Sequence, residues 1–404
     1  MTRREPALRY GLLAFLVATS IGFASVNATS LAVIPVIRTM ALGALALCAA
    51  LLLQRRVIRR DTLSALGLIV GVYLIGVTRG LGNLGSIDFL PLVAPSFVLV
   101  SIGALVLTNP AGAVSQRSAA KLFVGLSLLV LAFHLATGGL VLAYPPRFEF
   151  ELETTTGSLL LYSQGISKFY GLSAILSFWL VLNARSVRAR IPLVGCFAVF
   201  IALALLGGGR GDFLAAMAVI VMMSLAGGPG RKMMGAVLVG VFYFGGVWLM
   251  AYFSHDFIAL ERLWIVFQGL SFSERDILFA EAVDLVLSDT SCLLIGCGYT
   301  YFQVHYGYEY AMYPHNIVLE ALITWGVPLM LALFALVLRG LAHSDRTSPA
   351  FWAGVFFFLI ALKSGDLFTA WYALAFVFAL AGVGLASLMA DFERGPISGQ
   401  ERLG

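Results

Sequence analysis

The sequence predicts an all-α polytopic membrane protein with about twelve transmembrane helices. Three observations carry this. Of 404 residues, 60% are hydrophobic and 12% charged, with mean hydropathy +0.95; a soluble globular chain has about twice that charge fraction. Apolar runs near membrane-spanning length recur throughout. Between them the basic residues alternate in density, as the positive-inside rule requires.

The expected spans are 10–26, 31–53, 62–79, 89–107, 121–142, 169–183, 192–208, 213–227, 234–254, 316–338, 350–363 and 369–389. No convincing small-residue cleavage site follows Arg3, Arg4 and Arg9, so residues 10–26 read as a first span rather than a removed signal peptide. With the N-terminus in the cytoplasm, the cytoplasmic segments hold Arg3, Arg4, Arg9; Arg55, Arg56, Arg59, Arg60; Arg117, Lys121; Arg185, Arg188, Arg190; Arg231, Lys232; Arg339, Arg346; and Arg394, Arg402. These are most of the 26 lysines and arginines. Both termini are therefore expected in the cytoplasm. Because the basic residues lie in short loops, the formal charge of +5 is no nucleic-acid signal.

No soluble domain, low-complexity linker or internal repeat is evident, and residues 1–404 read as a single integral membrane domain. Its largest extramembrane piece, 255–315, is a partly helical far-side loop between the ninth and tenth helices. Within it Ser273 suits a helix cap with Asp276 at the capping-box position. Phe279, Ala282, Val283, Val286 and Leu287 then recur at helical spacing. A second piece, 143–168, contains "PPRFEFELETTTG", where Glu149, Glu151 and Glu153 look like one solvated face of a strand. It lacks histidine and defined metal spacing, so no metal site is expected there. Cys48 and Cys196 lie within spans as packing residues. Cys292 and Cys297 can pair if their side is oxidising, although so short a separation often fails disulfide geometry.

Eight basic residues break the topology rule: Arg38, Arg79, Arg147, Lys168, Arg210, Arg262, Arg275 and Lys363. Arg38 falls about 10 Å into its span at 1.5 Å per residue, where an arginine either snorkels outward or serves a ligand. Arg210 sits in "LLGGGRGDF". Glycines there let the backbone approach a ligand, and a guanidinium suits phosphate oxygens by bidentate pairing; the plainer reading is an ion pair with Asp212. Arg275 opens the loop helix, where a cation is disfavoured. Either Glu274 and Asp276 offset it or an anionic ligand does. The tyrosines of "YGYEYAMYPHN" read equally as an interfacial belt or as rings that stack on sugar faces. His315 follows them at the mouth of the next apolar run.

The order "GGGRGD", "ERDILFAEAVDLV", "IGCGYTYF" and "PHNIVLEALITWG" resembles the shared C-terminal core of bacterial O-antigen polymerases and O-antigen ligases. The likeness covers about 207–326, and the span layout extends it to the whole chain. One departure is that Gly326 is followed by "VPLML" rather than a second small residue. The resemblance implies a glycosyltransferase of the GT-C type in the bacterial inner membrane. Its donor is an undecaprenyl-diphosphate-linked oligosaccharide used on the periplasmic face, without cofactor. Carried over by position, Arg210 and Arg275 bind the donor diphosphate, and His315 serves the acceptor hydroxyl. Asn316 and Glu320 match with less defined roles, and Arg38 joins the substrate-binding candidates through its placement alone. No Asp-x-Asp metal motif occurs in the chain, so arginines are the groups available to stabilise a departing diphosphate. Histidine is the side chain whose unperturbed pKa suits a base near neutrality.

The wording of "PHNIVLE" favours a polymerase of surface-polysaccharide repeat units. The resemblance admits a chain-length regulator protein as a partner, besides the membrane lipids. The nearest alternative is the ligase, whose acceptor is lipid A-core; a protein O-oligosaccharyltransferase is a third member of the group. A lipid-linked glycan flippase or transporter is the alternative of another class. It is opposed by the lack of repeated halves and by the clustering of unusual charges at one face.

Overall fold

The structure, a computed structural model, describes residues 5–24, 33–54, 58–83, 88–109, 112–142, 146–148, 151–154, 157–160, 164–253, 274–309 and 312–394. Arg262 and Ser273 lie outside these, as does Glu149. The long helices are α1 (Glu5–Ala24), α2 (Val33–Gln54), α3 (Arg60–Gly80), α4 (Leu90–Thr108), α5 (Ala113–Ala136), α6 (Gln164–Leu182), α7 (Val187–Leu206), α8 (Arg210–Leu225) and α9 (Pro229–Phe253). Then follow α10 (Glu274–Ser288), α11 (Thr290–Ile295), α12 (Tyr301–Tyr306), α13 (Ile317–Trp325), α14 (Val327–His343), α15 (Pro349–Ser364) and α16 (Trp371–Arg394).

The protein is an all-α membrane protein. Among the described residues, 7 helices are long and apolar enough to cross a membrane, and three shorter apolar segments lie at Leu8–Ser20, Val327–His343 and Pro349–Ser364. Only backbone paired within its own segment survives in hydrocarbon, so apolar sequence of this length must be helical. Helix coincides with each expected span, with two corrections. The expected 121–142 span stops at Ala136, because Gly138 turns the chain at φ +72 and Leu140–Val141 forms a short antiparallel pair with Arg147–Phe148. The expected 316–338 span is two helices broken at Gly326, which adopts φ +78. The nine residues of α13 reach about 14 Å at 1.5 Å per residue, under half a bilayer core. Of the strand expected over 149–153, the described part is present as Glu151–Thr154, paired with Gly157–Leu160 in a hairpin.

The chain forms two compact units. The first comprises Met1–Cys48, Ala111–Ser273 and Arg346–Ile360. Its centre is α6, on which α1, α5, α7 and α8 pack. Phe169, Tyr170, Leu172 and Ile175 are fully enclosed, and Tyr170 stacks on Phe200 with ring centroids 5.8 Å apart. The outer helix α7 presents Ile191, Val194 and Val199 outward, an apolar surface appropriate to lipid.

The second unit comprises Ala49–Pro110, Glu274–Asp345 and Ala361–Gly404. Here α16 packs against α3, α4 and α14. Small residues make that approach possible. A Cβ on Gly340 would run into the carbonyl of Leu380, and one on Gly384 into that of Leu336. Lipid offers no hydrophobic drive for helix pairing, so such close van der Waals contact holds the pair together. Outside the long helices, α10, α12 and α13 enclose a separate small core of Leu278, Ala282, Leu285, Val286, Phe302 and Ile323. The buried stripe of α10 therefore runs through Leu278 and Leu285; Phe279 and Leu287, expected on it, are exposed.

These contacts separate two glycines that are alike in sequence context. Gly384→Ala should lower thermal stability in detergent, with overpacking costing about 1–3 kcal/mol. Gly125→Ala, whose added atom meets nothing within 4 Å, should be neutral or stabilising by up to about 1 kcal/mol. Thermal unfolding of both variants checks the α14–α16 contact; equal behaviour would remove it.

Candidate active site

The site in the second unit rests on a glycine-laced turn. Asp289 caps α11 by accepting from the backbone N–H groups of Ser291 and Cys292 at 3.0 and 3.1 Å. The chain leaves α11 through Gly296 at φ +75 and Gly298 at φ +85, which only glycine adopts freely. The Cys297 and Gly298 N–H groups donate to the carbonyls of Ile323 and Thr324 at 2.7 and 3.2 Å. They thereby satisfy acceptors that the end of α13 leaves open. A Cβ on Gly296 would lie 2.5 Å from Thr324 O, and one on Gly298 would strike the α3 backbone at Gly80. Cys292 and Cys297 are joined in a disulfide across this turn, with Cα atoms 4.9 Å apart. Asp289, Cys292 and Cys297 place potential metal-ligand atoms within 4.8 Å of one another, but both sulfurs are bonded to each other and the carboxylate serves as a cap.

With its C-terminal end pinned, α13 presents its N-terminal end as the site. Asn316 caps it, its side-chain oxygen accepting from Val318 and Leu319 N–H at 3.0 and 3.1 Å. One turn in, the buried Glu320 carboxylate accepts the Leu367 N–H at 3.0 Å. Asn316 and Glu320 thus have structural work that fixes the helix.

His315 precedes the cap with φ +51. A left-handed conformation is uncommon outside glycine, though histidine is among the residues enriched there, and such strain costs about 1–3 kcal/mol. The Tyr313 ring lies 4.1 Å from the imidazole between centroids, and the Tyr313 hydroxyl donates to Ser364 O at 3.3 Å. His315 is half-buried, and its Nδ1 is buried with no hydrogen-bond partner among the described residues. Burial first, then the Arg275 guanidinium, pushes the His315 pKa from 6.5 down to about 4, against an opposing pull from Asp366. The positive end of α13 acts in the same direction as Arg275. Both effects favour the neutral imidazole of His315.

The structure brings Arg275, His315, Asn316 and Glu320 into one unit, with Arg275 half-buried in the first turn of α10. Sequence reading missed Asp366. It is buried, accepts from the backbone of Phe368 and Thr369 at 2.8 Å each, and also takes the Thr369 hydroxyl. Its signal was a lone acid in "KSGDLFTAW" between two apolar runs.

Arg210 and Arg38 belong to the first unit. Arg210 is the first residue of α8 and half-buried. The turn before it is held on α6, where Gly209 N–H donates to the Ser167 hydroxyl at 2.7 Å. A Cβ on Gly207 would meet Ser167 N at 2.7 Å. Asp212 is fully buried one position beyond Gly211. Arg38 is exposed on α2, the placement expected of a snorkelling side chain. Comparison with family models, with curated proteins and with solved structures returns no match.

The electrostatic coupling is directly measurable. In nitrogen-detected NMR of labelled protein, the His315 imidazole should titrate near pH 4. Arg275→Ala should move that titration upward yet leave it below 6.5, because burial is the larger cause. A midpoint near 6.5 in the unaltered protein would contradict the geometry. Stability should follow. Between pH 6.5 and about 4 the unfolded chain takes up a proton that folded His315 refuses, so this group's contribution falls as pH drops through that window.

Proposed function

We propose that the protein is a membrane glycosyltransferase that uses an undecaprenyl-diphosphate-linked oligosaccharide as donor on the outer face of the inner membrane. Its task is to polymerise repeat units of a surface polysaccharide. The observation that supports this reading is His315, whose buried Nδ1 has no hydrogen-bond partner among the described residues and whose pKa burial and the Arg275 guanidinium push down.

Those two groups match the two demands of the reaction. The acceptor hydroxyl oxygen forms a bond to C1 of the donor sugar while the C1–O bond to phosphate breaks. The hydroxyl proton passes to the imidazole, and the electron pair leaves on the lipid diphosphate. A base must be unprotonated before the reaction, which a lowered pKa favours, and it must reach its proton at hydrogen-bond distance. The departing diphosphate gains charge, which a guanidinium can stabilise through two parallel hydrogen bonds. Arg210 carries the same assignment from the resemblance alone. Because Arg275 disfavours imidazolium, the diphosphate also matters for the proton: once bound, it screens the cation and makes the imidazole a stronger base as the bond breaks.

The ligase reading shares this chemistry and differs in the acceptor. Surface glycans of a deletion strain separate the readings: single-repeat lipid A-core marks a polymerase, and bare core with accumulated lipid-linked polymer marks a ligase. Complementation should succeed with the unaltered gene and fail with Arg275→Ala at normal expression. Arg275→Lys should restore little, since a point charge lacks bidentate geometry. Full restoration by lysine would reduce Arg275 to a general electrostatic role, and unchanged surface glycans in the deletion strain would remove the proposal.

A further inference from the structure

Beyond the reacting groups, the loop carries an aromatic and carboxylate surface that the transfer chemistry does not use. Gly307 ends α12 at φ +68. Its N–H donates to Val304 O and that of Tyr308 to Gln303 O at 2.8 Å, closing the helix with a Schellman-type turn. That turn stacks the rings of Tyr306 and Tyr308, with centroids 5.8 Å apart and planes 23° from parallel. His305, exposed, meets Tyr306 edge-on at 4.8 Å. The ring edges are tied to α10. Tyr308 donates its hydroxyl to both Glu281 oxygens at 3.0 and 2.9 Å, and Tyr306 donates to the Glu281 carbonyl at 2.9 Å. Both rings are half-buried, resting on the small core with one side toward solvent.

Charge selects the occupant. Residues 276–314 contain no lysine or arginine but include Asp276, Glu281, Asp284, Asp289 and Glu309. An anionic membrane surface or an acidic polymer would be repelled. An uncharged polyhydroxyl ligand is not: its C–H faces lie against the electron-rich ring faces, and its hydroxyls donate to carboxylate oxygens, each of which has spare lone pairs. We infer that Tyr306, Tyr308, His305 and Glu281, none of them assigned to the transfer chemistry, form a binding platform for an uncharged oligosaccharide. Resting on the transferase reading, the platform grips sugars of the glycan beyond the one that reacts, and so keeps a long chain engaged between transfers.

The test uses full-length protein in nanodiscs. The probe is uncharged oligosaccharide of a few repeats, released by mild acid from the surface polysaccharide of the strain that encodes the protein. Saturation-transfer NMR with the aromatic protons irradiated should show transfer to the probe in the unaltered protein. Tyr306→Ala and Tyr308→Ala should each weaken binding about tenfold, the scale of one aromatic contact, whereas Tyr308→Phe, which keeps the ring, should lose less. In transfer assays the alanine variants should give shorter chains and raise the KM for long acceptors more than that for single units. That last readout separates the two readings: loss of all turnover in Arg275→Ala with intact platform binding concerns only the transferase site. No saturation transfer to the probe, or alanine variants that bind it as the unaltered protein does, would overturn the platform. So would rings protected instead by vesicles of phosphatidylcholine and phosphatidylglycerol, which would make them an interfacial belt.

Discussion

The second unit depends on one backbone-to-backbone contact, in which the turn Gly296–Gly298 lies between the last turn of α13 and the face of α3. Two N–H groups from the turn close the carbonyls of Ile323 and Thr324. No side chain fits at Gly296 or Gly298 without striking main chain, so the contact tolerates only glycine. Tyr299 follows, its ring fitted over Gly76 and its carbonyl held by the Asn83 side chain at 2.8 Å. The disulfide across the turn limits how far it can open. Everything at the other end of α13 inherits its position from this end: the Asn316 cap, the strained His315 backbone and the bond from Leu367 to Glu320.

Strain and desolvation at His315 are affordable because that frame is rigid. A half-buried imidazole with a cation acting on it and a helix N-terminus beside it disfavours its charged form, and Asp366 pulls the other way. The group left behind is a neutral acceptor whose buried Nδ1 no protein atom among the described residues satisfies. On the proposed reading the imidazole serves the acceptor hydroxyl and Arg275 the donor diphosphate.

Much of this was legible in the sequence, because hydropathy and basic-residue spacing are one-dimensional properties. Helix positions and the helical content of the far-side loop belong to that class, whereas Arg275 and His315 were singled out together only through the resemblance. What escaped depends on partners remote in sequence. The break at Gly326 was hidden by an uninterrupted apolar run, although Gly326 and Pro328 marked it. On α10 both Phe279 and Leu278 satisfy helical spacing, and only packing against Phe302 and Ile323 decides which is buried. The pairing of Cys292 with Cys297 looked doubtful from separation alone, yet the chain doubles back through Gly296 to bring the two together. Asp366 escaped because acidic residues contribute little to the charge pattern that marks topology.

The central claim is that His315 takes a proton during transfer, and turnover by purified protein with lipid-linked donor tests it most directly. His315→Gln keeps a hydrogen-bonding side chain that cannot accept a proton. The account predicts turnover reduced by roughly 10²–10⁴-fold, with donor binding retained because Arg275 is intact. Wild-type turnover in His315→Gln would contradict it.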